Sequence, residues 1–295
     1  MPPHSFFAFL ALTCACYNAH AEVTVRDDAG VKVRLAKPAR RIVSLAPHVT
    51  ENLYAAGAGE RLVGAVSYSD FPEAVRKLPN VGGYDRPDLE AIVALKPDLV
   101  VGWQSGNPPA VLNKLQSLGI PVFLTEPGRL ADIPANIEKL GRLAGAEAVA
   151  ERAAENVRGR LADLRRQYAG KPVVTVFYQA WHQPLLTVGG SQIISDVIRL
   201  CGGENVFAGL ASKAPTVSVE AVLAADPEVI LASGMGKETP VGLDGWRAWP
   251  RLRAVLRENL FQVHPDLLQR PTPRLLDGAE RVCRHLETAR WRRGR

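Results

Sequence analysis

The side chains able to do chemistry are few and widely spaced. His48, His182 and His264 each fall just past a stretch read as a strand, where the ligand clefts of α/β proteins lie. Three imidazoles could hold a transition metal. They form no local pair, and only Asp266 accompanies His264, so satisfied or solvent-facing loop histidines are the simpler account and no metal site is expected. The chain lacks GxSxG, GxxxxGK[ST], HExxH and CxxC. The usual residues of nucleophilic catalysis, phosphate cradling and zinc hydrolysis are therefore missing, and neither an enzyme nor a cofactor is expected. Gly57-Ala58-Gly59 follows a predicted helix rather than a strand, so it reads as a helix C-cap turn and not a dinucleotide loop.

Aromatic side chains make a stronger pattern. Tyr68, Phe71, Tyr84, Trp103, Trp181, Trp246 and Trp249 sit in loops at strand ends or just past them, drawn from both halves of the chain. Each has a large flat apolar face and most have a polar edge, which suits gripping a bulky planar ligand without bond chemistry. Taken singly, each is more often core filling; taken together they point to binding.

The elements that must position them alternate. VTVRDDAGVKVRL predicts a hairpin. Strands at 41–45, 62–66, 98–102 and 121–124 are separated by the helical stretches ENLYAAG, DLEAIVALK and 108–118. The alternation restarts with strands at 173–178, 229–232 and 261–263 and helices at 191–201, 220–225 and 271–286, which implies parallel sheets with helices on their faces. Residues 88–101, DLEAIVALKPDLVV, match 218–231, SVEAVLAADPEVIL, with Glu90 over Glu220, Pro97 over Pro227 and Asp98 over Glu228. A gap of 130 residues is beyond any solenoid period and reads as a duplicated lobe. Between the halves, residues 146–169 carry Val149, Ala153, Val157, Leu161, Leu164 and Tyr168 on one helical face, ahead of a Gly170-Lys171-Pro172 stop. The expected fold is α/β: two related Rossmann-like lobes with mostly parallel sheets, 22–145 and 171–289, joined by one long inter-lobe helix over 146–170 and followed by a frayed basic tail, 290–295.

Composition excludes some partners. The formal charge of +6 is spread along the chain without a concentrated basic face, so nucleic acid is not an expected ligand. Residues 1–21 contain no Asp, Glu, Lys or Arg, have an apolar run too short to span a bilayer, and end in Ala19-His20-Ala21. They predict a secretory signal peptide cut after Ala21. Cys14 and Cys16 lack the small-residue context of a lipid attachment site. Cys201 and Cys283 remain, and an even pair in an exported chain suggests one disulfide, with two buried thiols as the alternative.

RIVSLAP, SYSDFP, DLEAIVALKPDLVVGW, LGIPV, CGGENVF and PDLLQRPTPR, in that order, resemble the cobalamin-binding periplasmic proteins of ABC importers, of the helical-backbone class of substrate-binding proteins. The resemblance covers most of residues 40–287. It implies two α/β lobes joined by one long helix, a corrinoid such as vitamin B12 held between them, and delivery to a permease dimer at the inner membrane, the binding protein acting as a monomer. It places ligand contacts at Tyr68, at Trp103, and at Tyr84, where the family has Trp. Trp181 lies near a family Phe, and Trp246 or Trp249 near a family Trp. The segment Asp266, Leu267, Leu268, Gln269 and Arg270 matches a second contact stretch in which Leu267 and Leu268 replace aromatic residues. It makes Glu90 and Glu220 the permease-docking carboxylates, and it supports pairing of Cys201 with Cys283. Haem or an iron siderophore is the alternative ligand, with His48, His182 or Tyr84 as iron contacts; an exported metal-dependent enzyme is the reading from another class.

Overall fold

The computed structural model describes residues 22–234 and 242–294. The expected leader and most of the glycine-rich loop after residue 233 lie outside them. The first half opens with β1 (Val23–Arg26) and β2 (Lys32–Leu35), an antiparallel hairpin. Asp27 closes its turn by accepting from the backbone N–H of Val31 (2.7 Å), with Gly30 at φ 84°. Then follow β3 (Ile42–Ser44), α1 (Pro47–Ala55), β4 (Leu62–Ala65), α2 (Leu89–Ala94), β5 (Leu99–Trp103), α3 (Pro109–Ser117), β6 (Val122–Thr125), α4 (Asp132–Ala144) and α5 (Glu147–Tyr168). The four strands β3 to β6 make one parallel sheet in the order β4-β3-β5-β6. Gly57 at φ 79° ends α1, as a C-cap turn requires.

The second half repeats the plan with β7 (Val174–Gln179), the small hairpin β8 (Trp181–His182) and β9 (Leu185–Leu186), α6 (Ile193–Leu200), β10 (Gly203–Asn205), α7 (Val219–Ala225), β11 (Val229–Ala232), α8 (Arg253–Leu256), β12 (Leu260–Gln262), α9 (Pro265–Leu268) and α10 (Leu275–Arg292). Its parallel sheet runs β10-β7-β11-β12. Two parallel sheets, each with helices on its faces, are the architecture the alternation implies. A disulfide joins Cys201, just past α6, to Cys283 on α10, so the two-thiol alternative is set aside.

The joining helix differs from expectation in its surroundings. α5 has 22 residues and so spans roughly 33 Å. It is no isolated strut, because α4, to which sequence reading gave no element, lies along it. Pro134 and Gly141 mask α4 in the sequence, yet a proline in the first helical turn forfeits no intrahelical bond, since those N–H groups have no partner there. Gly141 is where α5 comes closest: a Cβ there would stand 2.2 Å from the Cβ of Ala150. That close approach rotates the start of α5, so Ala150 and Ala154 are buried while Val149, expected inside, is 42% exposed. From Val157 onward the expected face is the buried one. One continuous apolar core therefore runs from Val25 and Ile42 through Val157 and Leu161 to Val282 and Leu286.

As far as residue 294, the tail is also not frayed. α10 continues to Arg292, and its arginines close the foot of the second lobe. Arg290 donates to the carbonyls of Pro172, Cys201 and Gly202 (2.7–2.9 Å), Arg292 to that of Glu258 (2.6 Å), and Arg293 to the carboxylate of Glu228 (2.6 and 2.8 Å). Between β11 and β12 the chain forms a 3₁₀ turn at 243–248 and the four-residue α8.

Candidate functional site

Parallel strands deliver whatever follows them to one edge of the sheet, and here the carboxyl edges of the two sheets are bridged to each other. Segments that follow β3, β4 and β6 in the first lobe, α1 among them, touch segments of the second at several points. The Asn52 side-chain amide donates to the carbonyl of Pro271 (3.0 Å). The Leu130 N–H donates to Asp196 (2.9 Å), and Lys213 pairs with Glu126 (2.6 Å). Burial disfavours the charged Glu126 carboxyl, but Lys213 and Ser105 outweigh it and hold its pKa below the ordinary value.

The largest bridge is ionic. Glu51 on α1, 4% exposed, accepts from Arg270 (2.9 Å) and from both ends of the Arg274 guanidinium fork (2.6 and 2.9 Å). Arg270 reaches on to Asp70 (2.9 Å), Asp266 (3.0 Å) and the carbonyl of Tyr68 (3.1 Å). Sequence reading named Arg270, Asp266 and Tyr68 but missed Glu51, Asp70 and Arg274, which tie them together. Charged residues outside a motif look like solvated surface until the fold brings 51 beside 270; no local signal marks them.

Around this bridge stand the aromatics of the first lobe. Tyr68 is 78% exposed and takes a left-handed φ of 65°, uncommon for a residue other than glycine. Tyr84 is 38% exposed and lies 5.8 Å from the half-buried Trp103 between ring centres. Phe71 sits under the guanidinium of Arg274, 3.9 Å from its centre. His48 meets Trp103 edge-on at 5.2 Å, and its Nε2 is buried without a hydrogen-bond partner. Burial lowers its pKa to about 4, with Glu126 opposing and Arg270 assisting, so the imidazole is neutral at pH 7.

From the second lobe, Trp181 is half-buried, donates to the carbonyl of Gln183 (2.8 Å) and lies beside His182. Two of the expected contact residues are buried. Trp246 is 5% exposed: its indole N–H donates to Gln179 (2.7 Å) and its ring meets Phe177 edge-on at 5.6 Å, so it fills the lobe's core. Leu268 is fully buried, because the short helix α9 turns it inward. Leu267 packs half-buried against the core, and Gln269 donates to Ser233 and to the carbonyl of Gly234 (2.8 and 2.9 Å). Trp249 is 42% exposed. His264 uses its Nδ1 to accept from the Asp266 N–H (3.2 Å). Among the described residues, no group of three or more His, Cys, Asp or Glu is placed to hold a metal ion.

Glu90 and Glu220 occupy equivalent places. Each is exposed in the first turn of its helix, two residues after a capping side chain, Asp88 or Ser218, that accepts from the N–H of Ala91 or Ala221 (3.0 and 3.2 Å). Its own backbone N–H, then the Ser218 hydroxyl, hold the Glu220 carboxyl below its ordinary range.

Comparison with known proteins agrees with the fold. Residues 42–267 match the periplasmic binding protein family. The vitamin B12-binding protein of Vibrio cholerae serotype O1 is 42% identical over 258 residues, 86% of this chain and 92% of that one. The protein of the same name from Yersinia pestis is 37% identical over 251 residues, 85% and 88% of the two chains. Among solved structures, the periplasmic vitamin B12-binding protein BtuF of Vibrio cholerae superposes with a TM-score of 0.79 at 40% identity, covering 86% of this chain and 98% of that one. The periplasmic haem-binding protein RhuT from Roseiflexus superposes with a TM-score of 0.74 at 27% identity, covering 85% and 99%. The chain belongs to the periplasmic binding protein family.

Proposed function

We propose that this chain captures a corrinoid between its lobes and hands it to an ABC importer, doing no covalent chemistry itself. The observation that carries this reading is the set of exposed and half-exposed rings past the carboxyl ends of the two sheets, Tyr68, Tyr84 and Trp103 from the first lobe and Trp181 from the second. Arg270 and Asp266 stand at the bridge that joins the lobes, with Gln269 beside them in the chain. Flat rings supply stacking area for a macrocycle, and the polar trio supplies partners for its amide rim. The vitamin B12-binding relatives favour a corrinoid over other planar ligands. Calorimetric titration of the mature protein with cyanocobalamin, cobinamide and haemin in parallel tests this, and cyanocobalamin should bind one per chain. The second reading is haem, favoured by the haem-binding structural neighbour and by the unpartnered nitrogens of His48 and His182. A Soret shift with no response to cyanocobalamin would establish it instead.

Family membership implies a periplasmic location, reached in this proposal by cleavage of the leader after Ala21. Glu90 and Glu220, one per lobe and similarly placed, suit a permease with two-fold symmetry that offers the same basic surface twice. Reversing both to Arg should leave ligand affinity intact and abolish uptake; wild-type transport by that double variant would refute the docking role.

A further inference from the structure

The Tyr68 loop is held in a conformation it does not favour by residues of the opposite lobe. Tyr68 has a left-handed φ, and its ring, 78% exposed, has little packing to hold it there. Second-lobe arginines meet the loop at three successive points. Arg270 binds the Tyr68 carbonyl (3.1 Å), Arg270 also binds the Asp70 carboxylate (2.9 Å), and Arg274 covers the Phe71 ring (3.9 Å). Both arginines in turn rest on one carboxylate. Glu51 takes Arg270 and Arg274 through three hydrogen bonds of 2.6–2.9 Å, and its side chain is 3% exposed. Buried in this way Glu51 has no route to a ligand, but it sets where both guanidinium groups stand. Charge-assisted bonds of this kind fix direction as well as distance.

We propose that Glu51 is a positioning residue that orients Arg270 and Arg274 across the lobe junction and thereby holds the Tyr68 loop in its ligand-gripping conformation. This rests on the reading of the cleft as a corrinoid site. Loss of pre-organisation then weakens binding although no contact with the ligand is removed.

The test is a double-mutant cycle with Glu51→Gln and Tyr68→Ala, read by cyanocobalamin affinity together with amide exchange of the ligand-free protein. Glu51→Gln keeps the side chain's size and some of its hydrogen bonding. It should weaken binding at least tenfold and speed exchange at Ser67 and Ser69, whose N–H groups bond to the carbonyls of Gly82 and Val66. In a Tyr68→Ala background the same change should cost clearly less than in the wild type, because only its route through Arg270 remains. Fully additive losses, or wild-type affinity in Glu51→Gln, would overturn the proposal. Should Glu51→Gln not fold, Arg274→Met provides the second variant: it leaves the Glu51–Arg270 pair and should give the same coupling with Tyr68 at smaller amplitude. Wild-type protein that ignores cyanocobalamin refutes the corrinoid reading alone; unchanged exchange at Ser67 and Ser69 in the ligand-free Glu51→Gln variant refutes the positioning role alone.

Discussion

The two halves of the chain carry the same short segment with different chemistry at its end. In the first, Asp88 caps α2, Lys96 turns left-handed (φ 45°) before Pro97, and Asp98 opens the way into β5. In the second, Ser218 caps α7, Asp226 turns left-handed (φ 39°) before Pro227, and Glu228 leads into β11. Each acid ties the foot of a central strand to its neighbour: Asp98 accepts from the N–H groups of Arg40 and Arg41 (2.9 and 2.8 Å), and Glu228 from that of Thr175 (3.3 Å). There the likeness stops. Glu228 is 6% exposed and is neutralised by Arg293 and Arg257, whereas Asp98 is half-exposed. The second lobe is sealed at its foot by the arginines of α10 and stapled by a disulfide. The first lobe instead puts a neutral buried histidine and a buried glutamate at its cleft edge. Duplication thus preserved the frame and let closure and binding diverge.

That contrast can be broken at several points. The largest effect should come from replacing Cys201 and Cys283 with Ala. The bridge closes a loop with sequence separation 82, for which the chain-entropy model gives about 4–5 kcal/mol. Urea unfolding should register the loss, and amide exchange should show it first in the second lobe. Next is His48. Its folded pKa of about 4 lies below the ordinary 6.5, so the unfolded chain takes up the proton first. Stability from keeping this ring neutral is complete above pH 6.5 and falls as the pH drops toward 4, by about 1.4 kcal/mol per pH unit. Between pH 7 and 4.5 the loss should reach about 2 kcal/mol, and His48→Gln should flatten it in denaturant titrations at each pH. Arg293→Ala should cost less, about 1–2 kcal/mol, because Arg257 still faces Glu228 and solvent screens part of the pair. Asp98→Ala should cost about 1 kcal/mol, the net value of the backbone bonds it makes. Equal costs for Arg293→Ala and Asp98→Ala would mean that the lobes close their feet alike after all.

Much of this frame could be read from the sequence, and the reasons are physical. Alternating buried strands and short helices fix the sheet class, and the paired segments 88–101 and 218–231 give the duplication and the matched Glu90 and Glu220. α4 escaped because Pro134 and Gly141 break its pattern, although one sits in the first turn and the other is the close-approach point to Ala150. At the site, aromatic residues at strand ends are exposed or half-exposed at Tyr68, Tyr84, Trp103 and Trp181. Trp246 differs, since a strand-end ring can turn inward when its N–H finds a partner such as Gln179. Glu51, Asp70 and Arg274 carried no signal, because their meaning lies in contacts some 200 residues apart in the chain, such as that between Asp70 and Arg270.

The central claim is that a ligand is gripped by both lobes at once. Its most direct test is calorimetric titration of cyanocobalamin into two separate variants, Trp103→Ala in the first lobe and Trp181→Ala in the second. Each should keep a stoichiometry of one per chain and weaken binding roughly tenfold, in line with about 1–3 kcal/mol for burying one aromatic side chain. Wild-type affinity in either variant would contradict the account, since it would leave that lobe without its part in the grip.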